Sequence, residues 1–429
     1  MMGFSTSLIK SKNKSWGGFS TMSSSVRPET ATLRGGFIAA IFLMATSAIG
    51  PGFITQTATF TAKMGSAFAF AILISIVIDF VVQLNIWRIT ALTGRRASET
   101  ANLAIPGAGF LLAVLVIIGG LAFNVGNIAG AGLGLNAMLG LDPKIGGALS
   151  AVLAICIFLS HRAGLLLDRM IVGLGLVMIV LTVFVALVSN PPVGEALRQA
   201  VFPDFIDFAT ITTIVGGTVG GYITYSGAHR LLDKGLTGPE NLGAVTRAAL
   251  TGIAVTGVMR FVLFLAILGV VASGVTLDLS SQAANPAAQA FSVAAGEWGM
   301  RVFGVVLWAA ALTSVIGAAY TSVSFLDVFG VRGERGRSMA TVAFIAFSLL
   351  VYLGMGTAPA AILVFVGGFN GLILPIGLTI FTYIGFARSD MMGGHRYNRI
   401  LLLASGITCA LTWYMGARSV STIFAFLGQ

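Results

Sequence analysis

Charge is scarce in this chain. Only 9% of its 429 residues are Asp, Glu, Lys or Arg, whereas 56% are hydrophobic and the mean hydropathy is +0.95. No soluble globular domain has that balance, so the chain reads as an integral membrane protein. Histidine and cysteine are scarcer still. His161, His229 and His395 are scattered, and Cys156 and Cys409 lie far apart within apolar runs. That pattern excludes a Cys-rich metal centre and offers no disulfide framework. With no His/Asp/Glu cluster or nucleophile–base pair, the chain does not read as a membrane-embedded enzyme, and it calls for no cofactor. The net charge of +10, from 25 basic and 15 acidic residues, would suit nucleic acid. Its distribution instead follows membrane topology, so the expected partner is the lipid bilayer and not nucleic acid.

Glycine, by contrast, is plentiful. The 55 glycines suit close-packed membrane helices, where small residues let backbones approach. Apolar segments long enough to cross about 30 Å of hydrocarbon recur eleven times. They lie near 36–62, 65–91, 107–139, 145–160, 170–189, 209–232, 245–273, 300–324, 338–355, 358–386 and 400–416. With the N-terminus inside, 19 of the 25 basic residues fall on the inner side. Five (Lys63, Lys144, Arg198, Arg301 and Arg418) fall outside, and Arg260 lies within span seven. The positive-inside rule then places the N-terminus in the cytoplasm and the C-terminus outside, in a multi-pass protein of the cell inner membrane. Residues 1–35, basic and Ser/Thr-rich, read as a disordered cytoplasmic tail, and 417–429 as a short C-terminal tail.

Two spans carry interruptions. Span one contains Gly50-Pro51-Gly52 with no charged residue from Gly36 to Ala62, and proline there breaks the helix. Span six carries Gly216-Gly217 and Gly220-Gly221. Breaks five spans apart are the mark of two inverted five-helix repeats, and unwound backbone at membrane depth is tolerated only where it lines a buried or watery site. The fold class is therefore an all-α polytopic membrane protein of about eleven transmembrane helices. Its transporter domain covers 36–416, with repeats at 36–189 and 209–386 and an extra helix at 400–416. The breaks are expected to meet around a transported solute.

This architecture, the Pro-Gly break and the eleventh helix resemble the natural resistance-associated macrophage protein (NRAMP) family. The resemblance covers roughly residues 35–416 and implies a LeuT-type fold and proton-coupled transport of a divalent metal. The family's helix-one motif Asp-Pro-Gly-Asn stands here as Gly50-Pro51-Gly52-Phe53. Its helix-six motif Met-Pro-His-Asn falls on Gly220-Gly221-Tyr222-Ile223. A polar glutamine common in span ten falls near Gly367, with Asn370 close by, and a helix-six histidine falls on Gly227. The side chains that hold the metal in the family are thus replaced.

Backbone carbonyls and hydroxyls alone suit a dehydrated divalent ion poorly, although a largely hydrated one remains open. Half-helix N-termini with neutral donors suit a carboxylate. The candidate substrate-binding residues are Gly50, Pro51, Gly52, Phe53, Thr55, Gln56, Gly220, Gly221, Tyr222 and Tyr225, joined by Asn124 and Asn127 of span three. Thr57, Thr59, Thr218, Thr224 and Ser226 add hydroxyls that can instead bond helix carbonyls. The family's divalent cation, a small organic anion or amino-acid-like solute, and a non-transporting membrane sensor are the readings left open. Nothing in the sequence specifies an oligomeric state.

Ionisable residues inside a span are costly and normally paired. Asp79, with Gln83 one turn later, lies in span two, and Arg260 in span seven. We expect an intramembrane ion pair, either a static staple or a coupling site at which Asp79 takes a proton. Gly126, Gly130 and Gly134 form a small-residue stripe in span three. His229, near Arg230 and Asp233, is out of register with the family's histidine and is expected at a gate or in a surface salt bridge.

Overall fold

The computed structural model describes residues 50–233, 235–281, 284–331 and 333–425. The expected tail at 1–35, the part of span one ahead of Gly50 and residues 426–429 lie outside the described residues. Among those described, all regular structure is helical. Helices α1 (Pro51–Met64), α2 (Phe68–Thr93), α4 (Ala108–Leu139), α5 (Pro143–Leu159) and α6 (His161–Val188) carry spans one to five, with the short α3 (Ala97–Ala104) after span two. After α7 (Val193–Val201), span six is split into α8 (Phe208–Val219) and α9 (Ile223–Asp233). Spans seven to eleven are α10 (Leu242–Ala272), α11 (Pro286–Val323), α12 (Glu334–Gly354), α13 (Pro359–Ala387) and α14 (Arg399–Ala425).

Local chemistry sets several of these boundaries. Asp142 caps α5 by accepting from the N–H groups of Lys144 and Ile145 at 2.8 and 3.2 Å, and Pro143 occupies the first helical position. Asn285 and Pro286 do the same for α11, which therefore starts well before the expected residue 300; Gly296, at φ 68°, kinks it. Residues 417–425, expected as tail, are the last turns of α14. Ser419 is buried there against Thr212 of α8, with their hydroxyls 3.3 Å apart, so packing extends the helix past its polar sequence.

Seven stretches among the described residues are long and apolar enough to cross a membrane, or eight if α6 and α7, bent by 106°, count as one. The number is below eleven for physical reasons. α1 and α2 run on as one stretch, α5 is short, and the halves of span six are each too brief to cross alone. Burial separates centre from rim: 72% of the apolar window of span ten is buried, but 22% of that of span nine. Leu153, Val180, Phe347 and Leu403 are exposed on spans four, five, nine and eleven, as lipid-facing side chains should be.

Spans three and eight form the most extensive helix pair. The glycine stripe allows it. A Cβ at Gly134 would come within 2.6 Å of the Trp308 backbone, and one at Gly130 within 2.4 Å of Pro51. Span one is held between spans three, six, seven, eight and ten.

Candidate functional site

Gly50 is extended (φ −71°, ψ 166°) and Pro51 opens α1. At that position proline has no intrahelical N–H bond to forfeit, and its fixed φ suits the first turn. What looks like a helix breaker within a span is thus the first residue of α1. Phe53, Thr55 and Gln56 are buried on it.

Span six breaks at Gly220-Gly221-Tyr222 alone; Gly216 and Gly217, expected to interrupt it, are helical. Gly221 adopts φ 56°, and a Cβ on it would lie 2.1 Å from Asn370 Oδ1. Left-handed backbone and a close side chain both demand glycine here. Gly216 and Gly217 serve close approach instead. A Cβ on Gly216 would lie 1.9 Å from the Gly367 carbonyl oxygen, and one on Gly217 2.4 Å from Gln56 Oε1.

Gln56 of α1 therefore fills the gap between spans six and ten. Its Nε2 donates to the Leu363 carbonyl at 2.9 Å, and a Cβ on Gly367 would come within 2.2 Å of that nitrogen. Gln56 Oε1, Asn370 Oδ1 and the Thr213 hydroxyl are buried without a hydrogen-bond partner. Buried orphans of this kind are costly and call for an explanation, such as a ligand or water. Asn370 Nδ2 donates to the carbonyls of Gly119 and Val366 at 3.2 and 2.9 Å. Reading the sequence by its breaks overlooked Thr213 and Leu363, and it missed that Gly217 and Gly367 serve the close approach of Gln56. The glycine pairs at 216–217 and 367–368 were the signal, because pairs of bare backbone mark helices in close contact.

The other candidates are spread around this centre. Tyr222 packs edge-on to Phe123, with centroids 5.2 Å apart. Tyr225 is buried against Phe325 and Phe381, in an aromatic cluster below the break. Asn124 donates to Ser348 of span nine at 3.1 Å, while Asn127 Nδ2 has no partner. Thr57, Thr218 and Thr224 bond the carbonyls of Phe53, Ile214 and Val219. His229 is 4% exposed, so it makes no surface salt bridge. Its Nε2 accepts from the Ala97 N–H at 3.2 Å and its Nδ1 lies 3.3 Å from the Ser324 hydroxyl, joining span six to α3 and to the end of span eight. The side chains of Arg230 and Asp233 lie outside the described residues.

Asp79 and Arg260 are paired. Arg260 Nη2 donates to Asp79 Oδ2 at 2.9 Å, with side chains 1% and 0% exposed, and Gln83 donates to Asp79 Oδ1. The guanidinium carbon lies 5.6 Å from the centroid of the Phe53 ring, which puts the pair against the first turn of α1. No group of three or more His, Cys, Asp or Glu that could hold a metal occurs among the described residues.

Residues 41–422 match the natural resistance-associated macrophage protein-like family. The chain belongs to this family. As an NRAMP-like protein it is a multi-pass membrane transporter with the LeuT-type fold. It is 48% identical over 383 residues to the uncharacterized membrane protein YcsG of Bacillus subtilis, covering 89% of this chain and 93% of that one. The manganese transporter of Eremococcus coleocola superposes with a TM-score of 0.70 at 15% identity, over 94% of this chain and 90% of its own. MhsT in complex with L-phenylalanine superposes with a TM-score of 0.59 at 15% identity, over 91% and 98%. At such identities the two structures share the NRAMP-like chain's fold and nothing finer.

Proposed function

We propose that this NRAMP-like protein is a proton-coupled secondary active transporter of a small organic anion or zwitterion. The single observation that carries the cargo assignment is the charge at the breaks. Gln56 Oε1 lies at Gly217 and Asn370 Oδ1 at Gly221, both neutral, and the charged groups beside Phe53 are Arg260 and the Asp79 carboxylate already paired with it. A dehydrated divalent cation needs anionic ligands, and the Asp79 carboxylate is already committed to the Arg260 guanidinium. The unpartnered N–H donors of Arg260 suit a carboxylate, and the amide oxygens of Gln56 and Asn370, which accept, suit a donor such as an ammonium group. Asp79 is the proton carrier in this reading, because a carboxylate at that depth changes the charge of the site when it binds a proton.

Divalent-metal transport is the second reading, favoured by the family and by the manganese transporters that share the fold. The same fold holds L-phenylalanine in MhsT, so organic cargo is compatible with it. Orientation follows the positive-inside distribution, with the N-terminus in the cytoplasm and the protein in the cell inner membrane.

Uptake by sealed proteoliposomes under an imposed proton gradient tests this. The panel sets manganese and magnesium against small carboxylates and amino acids. Gradient-driven accumulation of a carboxylate or amino acid is the expected result. Manganese accumulation without any organic uptake overturns the cargo assignment, and no accumulation of any panel member favours a sensor.

A further inference from the structure

Arg260 uses one part of its guanidinium. Nη2 is paired with Asp79, while Nε and Nη1 are buried with no hydrogen-bond partner. A buried, permanently charged head with idle donors is expensive unless something completes it. Nη2 forms one fork with Nε and the other with Nη1, and either fork matches the two oxygens of a carboxylate. The face of the same head lies on Phe53, the residue that follows Gly50-Pro51-Gly52. A free cationic edge, depth and proximity to the break coincide at this one side chain.

We propose that Arg260 is the docking point for the carboxylate of the cargo, which displaces Asp79 as counter-ion of the guanidinium. This rests on the organic-cargo reading above and names the chemical group recognised. Arginine does not lose its proton in proteins, so the buried cluster stays neutral only with one anion beside it. When the cargo carboxylate arrives, Asp79 therefore takes one proton from the side of entry. When the cargo leaves, Asp79 returns that proton to the side of exit and pairs with Arg260 again. Arg260 from span seven is the charged group that faces Asp79, and Gln83 of the same helix donates to it. For a monocarboxylate, one anion and one proton cross together, so its transport is electroneutral.

Formate and formamide, alike in size and different in charge, are the probes. Thermal unfolding of the purified full chain is followed with each at matched ionic strength. Formate is expected to stabilise the wild type and formamide is not. Formate affinity should tighten as pH falls from about 8 to about 5, by at most about tenfold per pH unit for one linked proton. Asp79→Asn with Arg260→Gln removes both charges together and should abolish the formate response. Arg260→Lys keeps a cation for Asp79 but no fork, and should weaken formate binding roughly tenfold. Equal responses to formate and formamide, or a full formate response in either variant, overturn the proposal. Carboxylate uptake that persists in the double neutral variant removes Arg260 from recognition while leaving the organic-cargo reading intact. Manganese uptake without organic uptake removes both.

Discussion

The carboxamide of Gln56 lies against the bare backbone of Gly217, so closely that a Cβ there would sit 2.4 Å from Oε1. Helix α1 of span one and the first half-helix of span six meet through this contact, and Leu363 of span ten accepts the amide hydrogen bond. The three elements that line the candidate site are thus tied together by one neutral side chain.

Gly217→Ala should force Gln56 out of its place. Overpacking of this kind typically costs about 1–3 kcal/mol, read as a lower midpoint of thermal unfolding in detergent. Adding Gln56→Ala should recover most of that loss, because the clashing atoms are then gone. Losses that simply add in the double variant would show that the contact is not the cause.

Asp79→Asn and Arg260→Gln, taken singly, should each destabilise strongly. Removing one partner of a buried ion pair leaves the other charge uncompensated and costs about 3–5 kcal/mol. The double neutral variant should regain stability, and a double-mutant cycle in denaturant or heat measures the coupling. If that variant still accumulates cargo, it should do so without dependence on a proton gradient. Full retention of proton dependence would make the pair a structural staple.

Manganese should bind weakly or not at all around the breaks, as measured by titration calorimetry on the purified protein. Gly50→Asp with Phe53→Asn is expected to create weak affinity, limited by the charge of Arg260. Adding Gly220→Met should not help. A Cβ at Gly220 would lie 2.7 Å from the Gly216 carbonyl oxygen and 2.9 Å from that of Asn370, and backbone does not yield as a side chain does. Tight manganese binding by the unmodified protein, lost on mutation near the breaks, would reverse the cargo assignment.

On the short α7, which follows span five and exposes Glu195 and Arg198, Glu195 accepts from Arg198 at 2.7 and 2.9 Å and also from Gln199. These donors, Arg198 foremost, hold its carboxyl down to about 2 from an ordinary 4.5. A carboxylate whose folded pKa is depressed stabilises the fold above its unfolded value and loses that contribution as pH falls. The window here runs from about 4.5 down to about 2. The gain is small at so exposed a pair. Arg198→Ala should raise the Glu195 midpoint towards 4.5, as followed by carboxyl-carbon NMR.

The membrane class, most of the apolar helices and the break in span six were legible in the amino-acid sequence. Each is a local matter of apolar length or of glycine without a side chain. Asp79 and Arg260 announced themselves for the same reason, since a charge inside an apolar run stands out wherever its partner lies. The function of a given glycine was not legible. Gly216-Gly217 and Gly220-Gly221 look alike in sequence, yet the first pair is helical and lets Gln56 and span ten approach, while the second breaks the helix. The fate of each hydroxyl and amide was equally hidden: Asn124 is committed to Ser348, whereas Gln56 and Asn370 keep unpartnered oxygens. Those distinctions depend on which backbone faces which side chain across hundreds of residues. Composition and local propensity set where the helices lie; only their packing decided which bare backbones and which idle polar atoms came together.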